Sequence, residues 1–101
     1  MPSTKDYLDF ILEQLSALGD ISYRLMMGEY ILYYKGKVFG GIYDNRFLVK
    51  ITKSSAAMLP TASKELPYEG GKEMLLVDEV ENKDFLRELI TSMCAELPKK
   101  R

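Results

Sequence analysis

Residues Arg24–Lys50 read RLMMGEYILYYKGKVFGGIYDNRFLVK, and the way this stretch divides into strands decides the fold. Glycine enters it at three places, Gly28, Gly36 and the pair Gly40-Gly41. Between them lie runs rich in tyrosine, phenylalanine, isoleucine and valine, the residues that fit a pleated, half-buried surface. The runs predict four strands, Ile21–Met27, Glu29–Tyr34, Lys37–Tyr43 and Arg46–Ile51. Lys35-Gly36 and Asp44-Asn45 suit two-residue hairpin loops, because glycine and asparagine tolerate positive φ.

Outward from this meander the periodicity changes. Leu8, Ile11, Leu12, Leu15 and Leu18 recur at helical spacing before Gly19, and Ser3 with Asp6 resembles a capping box, which predicts a helix over about residues 4–18. On the C-terminal side, residues 54–59 predict a short helix stopped by Pro60. Residues up to Gly71, with two prolines and two adjacent glycines, read as a surface connection. Glu73–Val80 predicts a fifth strand. Asn82 then caps a helix with an apolar stripe of Phe85, Leu86, Leu89, Ile90, Met93 and Leu97, followed by a frayed basic tail. The expected architecture is α+β, a single domain over residues 1–101. Its antiparallel sheet has about five strands, with the N- and C-terminal helices packed on one face. The order is helix, four strands, short helix, strand, helix.

Bulk properties narrow the function classes. The chain has 101 residues, 29% of them charged, and no run of the roughly 18 apolar residues a membrane helix needs. The N-terminus lacks the basic start and apolar stretch of a signal peptide. One cysteine, Cys94, allows no internal disulfide, and the expected location is the reducing cytoplasm. Charge is uneven: residues 21–53 carry six bases against two acids, while both flanks are net acidic. This favours an anionic partner only mildly.

Two-residue loops combined with strand alternation assign the faces. Ile31 is expected opposite Gly40 and Tyr30 opposite Gly41, and Ile42, Gly41 and Gly40 opposite Phe47, Leu48 and Val49. Ile31, Tyr33, Val38, Gly40, Ile42, Phe47, Val49 and Ile51 would then form the core face. The other face would carry Tyr30, Leu32, Tyr34, Lys37, Phe39, Gly41, Tyr43, Arg46, Leu48 and Lys50, half aromatic and half basic. Gly41, beside Tyr30, is a place for a large neighbour to fit. A phosphate cradle would need its glycines in a loop opening a helix, and these lie inside a strand.

No catalytic residues, cofactor or metal site are expected. Without histidine the ordinary serine or cysteine triads cannot be assembled, and the common transition metals lack their usual ligand. Asp78, Glu79 and Glu81 alternate faces along a strand, and Cys94 reads as a small buried residue. The aromatic-basic face is the candidate interaction site. Cover by the chain's own residues 54–72 or by a second copy is the first reading. A regulatory protein partner is the second. A nucleic acid, with bases stacked on the rings and phosphates on Lys37, Arg46 and Lys50, is the third. A homodimer through this face is favoured over a monomer. Arg24 could be buried against Asp20, Glu29, Asp78 or Glu79, or be a solvated strand arginine.

Taken together, these residues resemble the TfoX N-terminal domain family. That family is marked by an Arg-x-Met-Phe-Gly element, a Tyr-x-x-Gly-x-x-Phe hairpin and a Leu-x-Lys strand. The matching positions are Arg24, Met26, Met27, Gly28, Tyr33 or Tyr34, Gly36, Phe39, Leu48 and Lys50, with LPYEGGKEMLLVDEV similar to a second, looser block. Met27 stands where the family usually has phenylalanine. The resemblance covers about residues 4–97 and implies an α+β domain related to regulators of natural competence, which act through transcription without catalysis. Those full regulators carry a second, helical domain absent from these residues. The fold is therefore expected to carry over further than the role.

Overall fold

The computed structural model of the chain describes residues 3–98; the basic tail expected after the last helix lies outside them. The described residues form three α-helices, α1 (Lys5–Gln14), α2 (Lys53–Met58) and α3 (Lys83–Cys94). Six strands accompany them, β1 (Ile21–Met26), β2 (Glu29–Tyr34), β3 (Lys37–Tyr43), β4 (Arg46–Val49), β5 (Lys64–Glu65) and β6 (Met74–Leu76). All pair antiparallel in the order β1-β2-β3-β4-β6-β5. The fold is α+β as expected, with β5 as a short sixth strand inside what reads as a connection.

Local chemistry explains most boundaries. Thr4, not Ser3, caps α1, its hydroxyl accepting from the Tyr7 amide. The helix ends at Gln14 in a 3-10 turn over Ser16–Leu18, and Gly19 turns the chain at φ 65°. Three tight turns join β1 to β4. Their central residues, Met27-Gly28, Lys35-Gly36 and Asp44-Asn45, all have positive φ, the geometry that matches the twist of the flanking strands. Thr52 and Ser55 form a reciprocal capping box at α2. Asn82 caps α3 by accepting from the Phe85 amide.

The register departs from the expected one at a single residue. Tyr34 faces Lys37 and Tyr33 faces Val38, but Leu32 faces Gly40, so Phe39 is an extra residue bulged from the β2–β3 pairing. Beyond it Ile31 faces Gly41 and Tyr30 faces Ile42, while the β3–β4 register is as expected. A one-residue shift moves every side chain on one side of it to the opposite face. Tyr30, Leu32, Tyr34 and Phe39, expected on the outer face, are therefore buried with Ile42, Phe47 and Val49 beneath Leu8 and Ile11 of α1, Leu15 just after it, and Leu86, Leu89, Ile90 and Met93 of α3. Ile31, Tyr33 and Val38, expected in the core, go to the second face. The Phe39 and Phe47 rings meet edge to face at 6.5 Å in that core, a favourable aromatic geometry. The Phe39 carbonyl still accepts from the Lys50 amide at 2.9 Å, so the bulge keeps its bond to the next strand.

Candidate interaction face

Helices cover one face of the sheet, and the second face is divided. Over β3, β4 and β6, Tyr43, Leu48 and Met74 form a small buried cluster with Ile31 and Leu76 at its margin. The chain's own connection closes this half. Pro67 is buried and Tyr68 turns back through a bond from the Gly71 amide to its carbonyl. The Tyr68 ring lies 6.3 Å from that of Tyr43. Between connection and sheet runs a groove of about 590 Å³, lined by residues that include Val38, Tyr43, Lys50, Tyr68, Lys72 and Met74. Over β1 and β2 nothing comparable among the described residues covers the sheet: Ile31 and Tyr33 are half-buried, and Arg24 and Met26 are exposed.

The candidate residues thus separate. Of the rings expected on this face, only Tyr43 remains there, joined by Tyr33 and Tyr68. Lys37 is not a free cation: its ammonium donates to the Cys94 carbonyl at 2.9 Å. It caps the C-terminal end of α3, where positive charge is favoured. Arg46 is a strut. Its guanidinium donates to the Tyr43 carbonyl, to Glu65 at 3.0 Å and to the Leu66 carbonyl at 3.0 Å, tying the connection to the sheet. Leu48 is buried and supports the cluster from below. Lys50 lines the groove with Lys72. Gly28 and Gly36, both family-motif positions, occupy positive-φ turn sites. Arg24 is exposed and, among the described residues, makes no ion pair, which corrects the buried, paired reading in favour of the solvated one.

Burial pushes the Tyr43 hydroxyl up to about 12, with smaller contributions from Tyr68, Glu29 and Tyr33. It is a neutral hydrogen-bonding group at ordinary pH and no base. Asp78, Glu79 and Glu81 do line one open depression of about 850 Å³. Among the described residues, however, no three metal-ligating side chains converge. The groove offers rings, an apolar floor and two amines, which can hold a ligand. Tyr68 and Lys72 were not legible as part of it, because a Pro- and Gly-containing connection gives no sign of where it will lie. The Gly40-Gly41 pair was the one available sign of the bulge, since glycine inside a strand often marks one.

The fold and this face define an α+β domain built on one helix-covered antiparallel sheet, with a second face only partly closed by its own connection. The sequence model of the TfoX N-terminal domain family matches residues 13–91, and the chain belongs to that family. It is also 30% identical over 99 residues, 97% of this chain and 86% of the relative, to an uncharacterized 12.7 kDa protein in the trpE 5′ region of Spirochaeta aurantia. Among the described residues no helix is long and apolar enough to cross a membrane.

Proposed function

We propose that this domain is a non-catalytic interaction module of regulatory type. It takes an apolar segment flanked by carboxylates from a protein partner onto the open half of the second sheet face. One observation carries the reading: among the described residues no helix lies over Tyr33 and Ile31 of β2, which continue outward from the groove lined by Val38 and Lys50 towards the exposed Arg24. Partly exposed aromatic and apolar side chains of this kind suit a protein contact. The competence and transcription role of the family's full regulators enters only as regulation by contact, in the cytoplasm, where Cys94 stays a thiol. The nucleic-acid alternative loses support, since Tyr30, Tyr34 and Phe39 are in the core and cannot stack on bases.

Cross-linking in the native cell, compared between the wild type and Tyr33→Glu/Val38→Glu, tests the proposal. The expected result is a defined protein partner lost on substitution while the circular dichroism is unchanged. Identical cross-linked products from both proteins would remove the face from consideration. Titration of single- and double-stranded DNA at two salt concentrations tests the alternative. Binding that weakens steeply with salt would make nucleic acid the partner.

A further inference from the structure

The sheet ends in two unlike edges. β5 is two residues long and lies between Pro60 and Pro67, and short, proline-flanked strands are a common way to blunt an edge. β1 is six residues long, lacks proline, and pairs with β2 without a bulge. Its phase follows from the backbone. Lys35 N–H donates to the Asp20 carbonyl at 3.1 Å, and Met26 faces Glu29 across a two-residue turn. Even-numbered residues of β1 therefore turn their N–H and C=O groups toward β2, and Ile21, Tyr23 and Leu25 turn theirs to the open edge. Large apolar side chains stay in water here: Tyr23 is 43% exposed, Leu25 61%, Met26 48% and Met27 97%. These are four of the seven such side chains among the described residues, so the exposure is concentrated on this edge.

We propose that β1 pairs antiparallel with β1 of a second copy of this chain, about a two-fold axis at Tyr23, joining two six-stranded sheets into one. The register selects a copy of the chain as the occupant. Open-edge groups must meet open-edge groups, so odd-numbered residues face odd-numbered ones. Centring the pair on Arg24 would set two guanidinium groups against each other, which is destabilising. Centring it on Ser22 would leave Leu25 opposite Gly19, where φ values of 65° at Gly19 and 46° at Asp20 have already taken the chain out of the strand. Centring on Tyr23 pairs all three open-edge residues, Ile21 with the partner's Leu25, Tyr23 with the partner's Tyr23, and Leu25 with the partner's Ile21.

On the second face this register places Arg24 opposite the partner's Ser22, with the partner's Asp20 on one side of that serine and the partner's Arg24 on the other. Arg24 and Asp20 are both exposed, and among the described residues neither has an ion pair. Arg24 therefore has one like and one opposite charge at the same step, so the charges do not oppose this register, and the apolar pairs and open backbone groups select it. The contact is isologous and closes on itself; the edges left over are the two-residue β5 strands, so pairing stops at two copies. It uses the edge and not the groove or the Ile31–Tyr33–Val38 strip. It goes beyond the partner docking proposed above, and either can fail without the other.

Light scattering coupled to gel filtration, over loading concentrations from micromolar to submillimolar, tests it. The expected mass is twice 11.6 kDa, returning to the monomer value for Leu25→Lys and for Tyr23→Lys with unchanged circular dichroism. The register is tested in a Cys94→Ser background. Tyr23→Cys should oxidise to a covalent dimer, because facing residues of a hydrogen-bonded pair lie about 5.5 Å apart at Cα, within disulfide reach. Leu25→Cys alone should not, since its two copies are offset by four residues. A monomer mass throughout the range overturns the proposal, as does a dimer that survives both lysine substitutions. Cross-linking of Leu25→Cys equal to that of Tyr23→Cys overturns the register.

Discussion

At Gly41 the space for a side chain is occupied on two sides. An added Cβ would stand 2.5 Å from the Tyr30 carbonyl oxygen and 2.8 Å from the Tyr43 ring, which lies over the glycine from the same strand. The oxygen belongs to the backbone and cannot swing away. Gly41→Val should therefore lower stability by about 1–3 kcal/mol through overpacking, read as a lower urea midpoint with an unchanged slope. An unchanged midpoint would mean that the Tyr43 ring does not sit there. The need for glycine was readable from the sequence, but its cause was not: the tight neighbour is the Tyr30 backbone, not the Tyr30 ring. Alternation names which residues share a face, whereas the approach of a carbonyl depends on how strongly the bulge one residue away bends the strand.

Among the elements, α2 shows how short helices are held. Six residues cannot sustain a helix alone, and here Glu96, just beyond α3, accepts from both the amide and the hydroxyl of Ser54. Those bonds hold the Glu96 carboxyl below its ordinary value of 4.5, chiefly through the Ser54 amide. Glu65, bonded first to Ser63 and then to Arg46, is lowered likewise. A carboxylate whose folded pKa is depressed contributes stability that is present above its unfolded value. That contribution is lost as pH falls through the folded one. Thermal stability should therefore decline below about pH 4.5, and Glu96→Gln should flatten that decline while lowering stability at neutral pH. A melting series across acid pH for both proteins checks it, and superimposable profiles would show that Glu96 does not act on α2. The cap at Asn82 is a local matter of spacing and was legible, whereas the short helix was expected from residue 54 without its Thr52 cap. The Glu96 contact joins residues 42 positions apart, and nothing in either segment announces it.

For the whole molecule, the closure point lies where the chain's start meets two hairpin tips. One Glu29 carboxylate oxygen accepts from the Ser3 amide at 3.2 Å, the Ser3 hydroxyl at 2.6 Å and the Asp44 amide at 3.1 Å. The Ser3 hydroxyl in turn accepts from the Asn45 amide at 3.0 Å. Glu29→Ala leaves these donors without their acceptor and should cost roughly 1–3 kcal/mol, with hydrogen exchange quickening first at α1 and at the Asp44-Asn45 turn. Exchange unchanged at α1 would show that the helix is held by its apolar face alone. Five of the six strands, the helix positions and the turns at Lys35-Gly36 and Asp44-Asn45 could be read from the sequence because they depend on residues within one turn or one pleat of each other. Leu8, Ile11 and Leu15 announce a buried stripe, and Lys35-Gly36 announces a hairpin, whatever the rest of the chain does. Which face of β2 those helices bury could not be read. Burying Phe39 against Phe47 inserts one residue into β3, and the insertion exchanges Tyr30, Leu32 and Tyr34 with Ile31 and Tyr33. That choice depends on filling a volume bounded by α1, α3 and the sheet together, and a pattern of period two carries no record of that volume.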